Sequence, residues 1–560
     1  MSNKVKTNQK KGKFNKYFDE ENDTTYEVIN YLVAVFGIVL CLALTLYLPD
    51  GYIGDNALKK IDAYKWIGGI GILIIGALAL YYILKKFPRS EWRFYNTDYL
   101  AIGFVLMSVI SSIVGGNFSE CILGYNGWYM GIISQVSFIL LYFLFSRFSR
   151  YYKEIVGAIL CVAAIAFLIA VFQRIMIDPF DFYYLGTEYE LDSQQKNDFL
   201  STMGQVSWYS GFVATIFPIG MGVFWAADKK GTRIGAGIFS FIAFMTLVSQ
   251  NSDSAYMAIL GCFMVFFLFS TSDKKRMLRF WEALSLFVLS TRATWILLQI
   301  HPNDELILDS LSNFMINNKL MIFITIFVLA VTAWVYVFYL SDDAKYPVKI
   351  WKGLSYCALA LVVIGIIASV IILIMSAKGT TPEWLAEKTA GIGYLNWNDD
   401  WGNHRGMSWT VNLWMIRDMG IVKNIFGIGP DNYPYLAYEL FGSQLEEMFD
   451  ATLANAHNEW ANTLISFGIL GFVCYYGMFV SAIRNFAKKQ NERPILVGII
   501  ATIVAYMAHN FFCYQTVCCT PFLFIIIGIG TYIYRSEVKY DDYEFIITKL
   551  KNKFASKKSE

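Results

Sequence analysis

The sequence predicts an all-α, polytopic helical membrane protein of about fourteen transmembrane helices, within a range of about 12 to 14, with both termini cytoplasmic. Three observations carry that expectation. Of 560 residues, 56% are apolar and only 16% are charged, a balance that suits a chain embedded in lipid. Apolar runs of about 20 residues, the length that crosses the hydrocarbon core, recur along the chain. Lys and Arg gather in every second connection between those runs, as they do on the cytoplasmic side of a membrane.

The fourteen runs lie near 26–49, 65–86, 98–115, 128–147, 152–173, 206–227, 233–250, 253–272, 279–300, 320–341, 354–376, 458–483, 494–513 and 519–535. The alternate connections carry Lys85, Lys86, Arg89 and Arg93, then Arg147, Arg150 and Lys153, then Lys229, Lys230 and Arg233. They continue with Lys274, Lys275, Arg276 and Arg279, with Lys345, Lys349 and Lys352, and with Arg484, Lys488, Lys489 and Arg493. The opposite connections are nearly bare of cations, and 174–205 is acidic. The expected organisation is a cytoplasmic basic tail (1–25), membrane helices 1 to 11 (26–376), a large extracytoplasmic loop (377–456), membrane helices 12 to 14 (457–535) and a second cytoplasmic basic tail (536–560). Residues 1–25 are polar and Lys-rich and are not expected to form a cleavable signal peptide. The basic C-terminal tail is expected to rest on anionic headgroups.

The net charge of +2 points to no nucleic acid. The nine cysteines fall mostly in apolar runs and form no metal pattern. Cys513, Cys518 and Cys519 leave two readings open, a disulfide or packed free thiols.

The loop and the helix after it carry the chemistry. So long a connection is functional or disordered, and its aromatic content argues against disorder. Arg405 and Trp409 are four apart and share a face if the segment is helical. Trp409, Leu413, Ile416 and Met419 then form an apolar stripe, as in a helix lying along the membrane surface. G-I-G-P-D-N-Y at 427–433 reads as a turn, because its glycines allow positive φ and Pro430 stops a helix. It lacks the strand and helix that a dinucleotide site needs.

Nucleotide sugars and ATP are cytosolic, so an enzyme on the outer face needs an activated donor delivered by the membrane. Polyprenyl-diphosphate-linked saccharides are such donors. Their chemistry needs a cation on the diphosphate, which suits Arg, and a base for the acceptor hydroxyl, which suits His. His457 stands where the loop meets an apolar helix. It is either that base or a residue capping its own helix, and Arg405 is either a phosphate ligand or a solvated surface charge.

These motifs resemble the O-antigen ligase and O-antigen polymerase superfamily of membrane glycosyltransferases. That family carries His-Asn, nine residues, then Gly-x-x-Gly after its large outer loop. Here the match is His457-Asn458, E-W-A-N-T-L-I-S-F, then Gly468-I-L-Gly471. The family's upstream Arg-x-x-x-Trp and Gly-x-Gly-Pro correspond to Arg405–Trp409 and Gly427–Pro430. Weaker likenesses lie at 123–131 (L-G-Y-N-G-W-Y-M-G) and 199–214 (F-L-S-T-M-G-Q-V-S-W-Y-S-G-F-V-A), so the resemblance spans most of 115–535.

The resemblance implies a metal-independent and cofactor-free glycosyltransferase of cell-surface polysaccharide synthesis, in the cytoplasmic (plasma) membrane of a bacterium. Its donor would be a polyprenyl-diphosphate-linked saccharide, its acceptor a glycan, lipid or protein, and its solvent the lipid bilayer. His457 and Arg405 would be catalytic. Asn458, Arg417, Arg292, Trp409, Gly427 and Gly429 would contact substrate. Two departures stand out. The family's Ser-Arg pair is replaced by S-Q-N-S-D-S-A-Y, with Asp253 near the Arg position. The family also has about twelve spans, which makes 279–341 an inserted hairpin. Arg292 in that hairpin either replaces the missing cation, or pairs with Asp253, or snorkels to the headgroups. The alternative from another class is a polysaccharide flippase-type transporter, although no repeat or broken midplane helix marks one.

Overall fold

The computed structural model describes residues 24–52, 54–86, 93–183, 191–341, 345–449 and 452–536. The basic tails expected at 1–25 and 536–560 therefore lie almost wholly outside the described residues. Of the described residues, 77% are helical. Among the described residues the only strands are a two-residue antiparallel pair, β1 (Phe199–Leu200) and β2 (Gly204–Gln205).

Each expected apolar run falls on one helix. The first half holds α1 (Thr24–Leu46), α2 (Asn56–Lys85), α3 (Asn96–Gly115), the short α4 (Phe118–Leu123), α5 (Ile132–Phe148), α6 (Tyr152–Gln173) and the short α7 (Ser193–Asp198). Then come α8 (Val206–Ala226), α9 (Lys230–Ser249), α10 (Asp253–Ser270), α11 (Lys274–Ile300), α12 (Ser310–Asn317), α13 (Leu320–Leu340) and α14 (Val348–Ala377). The large loop folds into α15 (Glu383–Thr389), α16 (Trp401–Asp418), α17 (Gly420–Phe426) and α18 (Tyr433–Met448). The chain closes with α19 (Glu459–Lys489), α20 (Ile495–His509) and α21 (Thr520–Arg535). Among the described residues, eleven helices are long and apolar enough to cross a membrane, while α5, α20 and α21 are apolar but shorter. This is a multi-pass helical membrane protein.

The core is made where α20 packs on α8 and α10, α19 on α3, and α21 on α5. At one end the basic connections come together. Asp98, wholly buried at the start of α3, accepts from Arg147 at 3.0 Å, from Tyr142 at 2.9 Å and from Arg535. Arg276 reaches Gln490 and Asn491 at 2.7 and 2.9 Å, which ties the start of α11 to the end of α19. A buried carboxylate is tolerated only when paired and hydrogen-bonded, and two guanidinium groups meet that need here.

The opposite end holds the large loop, which has its own core of Val411, Met415, Ile428, Tyr433, Leu445 and Ile465, among others. Disorder is thus excluded for its described part. Helix α14 is held near its ends. Trp351 packs at a tilt against Trp281 and Trp334, the backbone N–H of Trp397 donates to Ser376 Oγ at 2.9 Å, and the most apolar stretch between buries nothing.

The loop is fastened to α19 through glycine backbone. Gly468 interrupts α19 at φ 67°, and a Cβ there would fall 2.3 Å from the Ile425 carbonyl. The gap admits the loop, so that the N–H of Gly429 donates to Ser466 O at 2.8 Å. No L-residue fits both this dihedral and this approach. Gly468→Ala is expected to destabilise the protein by at least about 2 kcal/mol, read as a lower midpoint of chemical unfolding in detergent. Gly76→Ala, where a Cβ meets nothing within 4 Å, should leave the midpoint in place.

Candidate functional site

His457 precedes α19 with φ 45°, a left-handed backbone. Its N–H donates to Asn455 Oδ1 at 2.8 Å. Asn458 turns extended and caps the helix, its side chain accepting from the Ala461 N–H at 3.0 Å. Asn458 is therefore the helix cap and His457 is not. The imidazole is half-buried, stands edge-on to the Tyr514 ring at 5.5 Å, and makes no hydrogen bond from either ring nitrogen among the described residues. Burial, and then the charge of Arg405, lower its pKa to about 4. The ring is neutral at pH 7, with a lone pair free to accept a proton.

Arg405 and Trp409 lie on α16, as their spacing predicts. Met419 is buried and Ile416 packs partly against the loop core, as the stripe predicts, but Leu413 is 67% exposed and Val411 and Met415 take inward positions instead. The helix turns by this amount because Asn412 is drawn in. Its amide donates to Ala456 O at 3.0 Å, and its carbonyl accepts from Tyr433 at 2.7 Å. Trp409 Nε1 reaches His457 O at 3.5 Å, so α16 is tied to the residues before α19 at two points. Arg405 Nε donates to Phe512 O at 2.8 Å and one terminal nitrogen donates to Gly402 O. The other terminal nitrogen has no protein partner among the described residues. Trp401, Trp409 and Phe512 pack on one another at ring-centroid spacings of 5.2 to 6.4 Å.

The turn 510–519 supports both residues, since Phe512 holds Arg405 and Tyr514 faces His457. It is anchored by Glu459, which is 2% exposed. The Glu459 N–H donates to Asn510 O at 2.9 Å, and its carboxylate accepts from Tyr475 at 2.7 Å and from the Asn510 amide. His509, wholly inside, bridges Asn510 Oδ1 at 2.6 Å and Ser210 at 2.7 Å. Burial pushes the Cys513 thiol up, but His509 and Arg405 beside it pull it to about 7.

Segments far apart in sequence close the rim. Asp431 at φ 55° accepts from the Tyr125 and Met130 N–H groups at 3.2 and 2.6 Å, which pins the turn 123–131. Burial raises the Asp431 carboxyl to about 7 despite those bonds. Trp128 of that turn meets Tyr514 edge-on at 4.4 Å, and Gln205 accepts from the Tyr514 hydroxyl at 3.1 Å. Tyr394 donates to Asp253, whose other oxygen is buried without a partner. Arg405 is close enough for its charge to act on both Asp253 and Tyr394.

Three groups of sequence candidates stand elsewhere. Arg417 is 67% exposed and forms a bidentate pair with Asp418, both bonds 2.6 Å. It is twelve residues beyond Arg405, about 18 Å along the helix at 1.5 Å per residue, so it does not share a diphosphate with Arg405. Arg292 donates to the Met315 and Ile316 carbonyls at 2.5 and 2.9 Å. It caps the end of α12 and neither pairs with Asp253 nor replaces a cation at the site. Gly427 and Gly429, at φ 86° and 96°, press against the Ser466 carbonyl and Ser112, respectively, and build the joint with α19. Each of the nine cysteines is a free thiol, Cys513, Cys518 and Cys519 included.

No protein-family model matches this chain, and no curated protein matches it with significance.

Carbethoxylation followed by peptide mass spectrometry reads the titration of His457 directly. Its reactivity should half-saturate near pH 4, and Arg405→Gln should move that midpoint upward. A midpoint at the ordinary histidine value in the unaltered protein contradicts the burial and charge described here. Glu459→Leu strands the Tyr475 hydroxyl and the Asn510 amide. It should cost roughly 3 kcal/mol or more in unfolding experiments, with Glu459→Gln costing less.

Proposed function

We propose that this chain transfers or polymerises glycan from a polyprenyl-diphosphate-linked donor at the outer face of a bacterial cytoplasmic membrane. What supports the reading is the meeting of an arginine with one unpartnered guanidinium nitrogen and a neutral, half-buried histidine with a free imidazole. The two sit at the end of the helical bundle opposite its basic connections. Basic connections stay in the cytoplasm, so with about fourteen crossings the site faces outward. There the substrate is carried by the membrane.

In the proposed reaction His457 accepts the proton of an acceptor hydroxyl as its oxygen bonds to the anomeric carbon. The bond from that carbon to the diphosphate oxygen breaks, and polyprenyl diphosphate leaves as an anion against Arg405. The proton on His457 then passes to that leaving group or to water. A base with a pKa near 4 is weak in the empty site. An arriving diphosphate offsets the Arg405 charge and raises the proton affinity of the imidazole where the reaction needs it. In this reading the unpartnered oxygen of Asp253 orients an acceptor hydroxyl group.

The test is transfer in vitro from a purified lipid-linked glycan. His457→Ala should lower turnover by about 100-fold or more while the protein still inserts in membranes and melts normally. Arg405→Gln should do the same, and Arg417→Gln and Arg292→Gln should retain transfer. Unchanged turnover in His457→Ala removes the assignment. Movement of intact lipid-linked glycan across the bilayer without transfer indicates a transporter. Product length then separates a polymerase from a ligase.

A further inference from the structure

At the basic end of the bundle, 31-residue α19 lies against α3, and a groove of about 340 Å³ opens between them. Its α19 wall includes Gly477, Val480, Arg484 and Lys488, and its α3 wall includes Asn96 and Leu100. Gly477, Arg484 and Lys488 are separated by seven and four residues and share one helix face. Arg484 and Lys488 are exposed, and no ion pair or side-chain hydrogen bond among the described residues includes either. Asn96 stands beside them with its polar side chain exposed.

Further along the same groove the lining becomes mostly apolar, and its Ser481 hydroxyl is taken up by Thr97 at 2.9 Å. Val480 is 58% exposed, and a Cβ on Gly477 would only just touch the Leu100 methyl groups, at 3.5 Å. The absent side chain is what gives the groove its depth.

We propose that this groove binds an anionic membrane phospholipid. The phosphate lies between Arg484 and Lys488, the glycerol meets Asn96, and the first acyl carbons lie over Leu100, Val480 and Gly477. Two neighbouring cations without a protein counter-ion supply the charge complementarity. The change from polar to apolar along one groove distinguishes an amphiphile from free phosphate, which has no use for the apolar half. The bound lipid would brace α3 against α19 at the end opposite His457. The proposal does not depend on the glycosyl-transfer reading.

Native mass spectrometry of the full chain, with phosphatidylglycerol and phosphatidylcholine offered together, tests it. The unaltered protein should retain phosphatidylglycerol preferentially. The double variant Arg484→Gln, Lys488→Gln should retain it about tenfold less well, and Lys349→Gln, Lys352→Gln should behave as the unaltered protein. Gly477→Leu, which keeps both cations and fills the apolar half, should also lose retention. Excess inorganic phosphate should fail to displace the lipid. Equal retention of the two lipids, full retention by the double variant, or displacement by phosphate overturns the proposal.

Discussion

The carboxylate of Glu459 lies fully inside the protein, in the first turn of a helix long enough to cross a membrane. A group of that kind is costly unless its hydrogen bonds are met. Here they are met by Tyr475 and Asn510, and meeting them fixes where the turn 510–519 must sit. From that turn Phe512 takes one bond of Arg405 and Tyr514 takes one face of His457. Arginine and histidine come from parts of the chain 52 residues apart, and one buried polar anchor sets the distance between them. The neighbouring Gln515 and Gln135 extend the network toward α5, with bonds of 2.8 and 2.7 Å. The candidate site is thereby tied to the rigid bundle as well as to its own loop.

The two ends of the bundle solve different problems. The basic end gathers cations and neutralises part of their charge with the buried carboxylate of Asp98, shared by Arg147 and Arg535. The other end spends its polar groups on shape. Asp431 holds a turn, Asn412 holds the segment before α19, and Asn458 caps a helix. Among the described residues, the groups left without a partner there include one guanidinium nitrogen of Arg405, the His457 ring, one oxygen of Asp253 and the Asn455 amide nitrogen. A site built for chemistry is expected to leave such groups unpaired only where a ligand will meet them.

Much of this was legible in the sequence because it depends on length and spacing. Runs of apolar residues gave the helices, and the junction at His457–Asn458 followed from a cap residue opening an apolar segment. Arg405 and Trp409 shared a helix as their spacing required. What was not legible depended on direction. Leu413 satisfied the period of an apolar stripe, yet Asn412 turned the helix so that Val411 faced in and Leu413 faced out. Arg417 and Arg292 were the right residue type, but Asp418 and the carbonyls closing α12 already occupied them. The roles of 123–131 and 199–214 lay in tertiary contacts with Asp431 and Tyr514, which no local pattern records. Glu459 carried no signal beyond being an acid at a helix start, where acids are common.

In the proposed function Arg405 meets the diphosphate of a lipid-linked donor and His457 stands beside it, facing the acceptor. The most direct measurement is mapping of covalent crosslinks from a polyprenyl diphosphate bearing a photoreactive group beside the phosphates. Crosslinked peptides are expected from residues 401–415, 455–460 and 510–515, lost when unlabelled polyprenyl diphosphate competes. Crosslinks confined to other parts of the chain, or unaffected by that competitor, would contradict the proposed function.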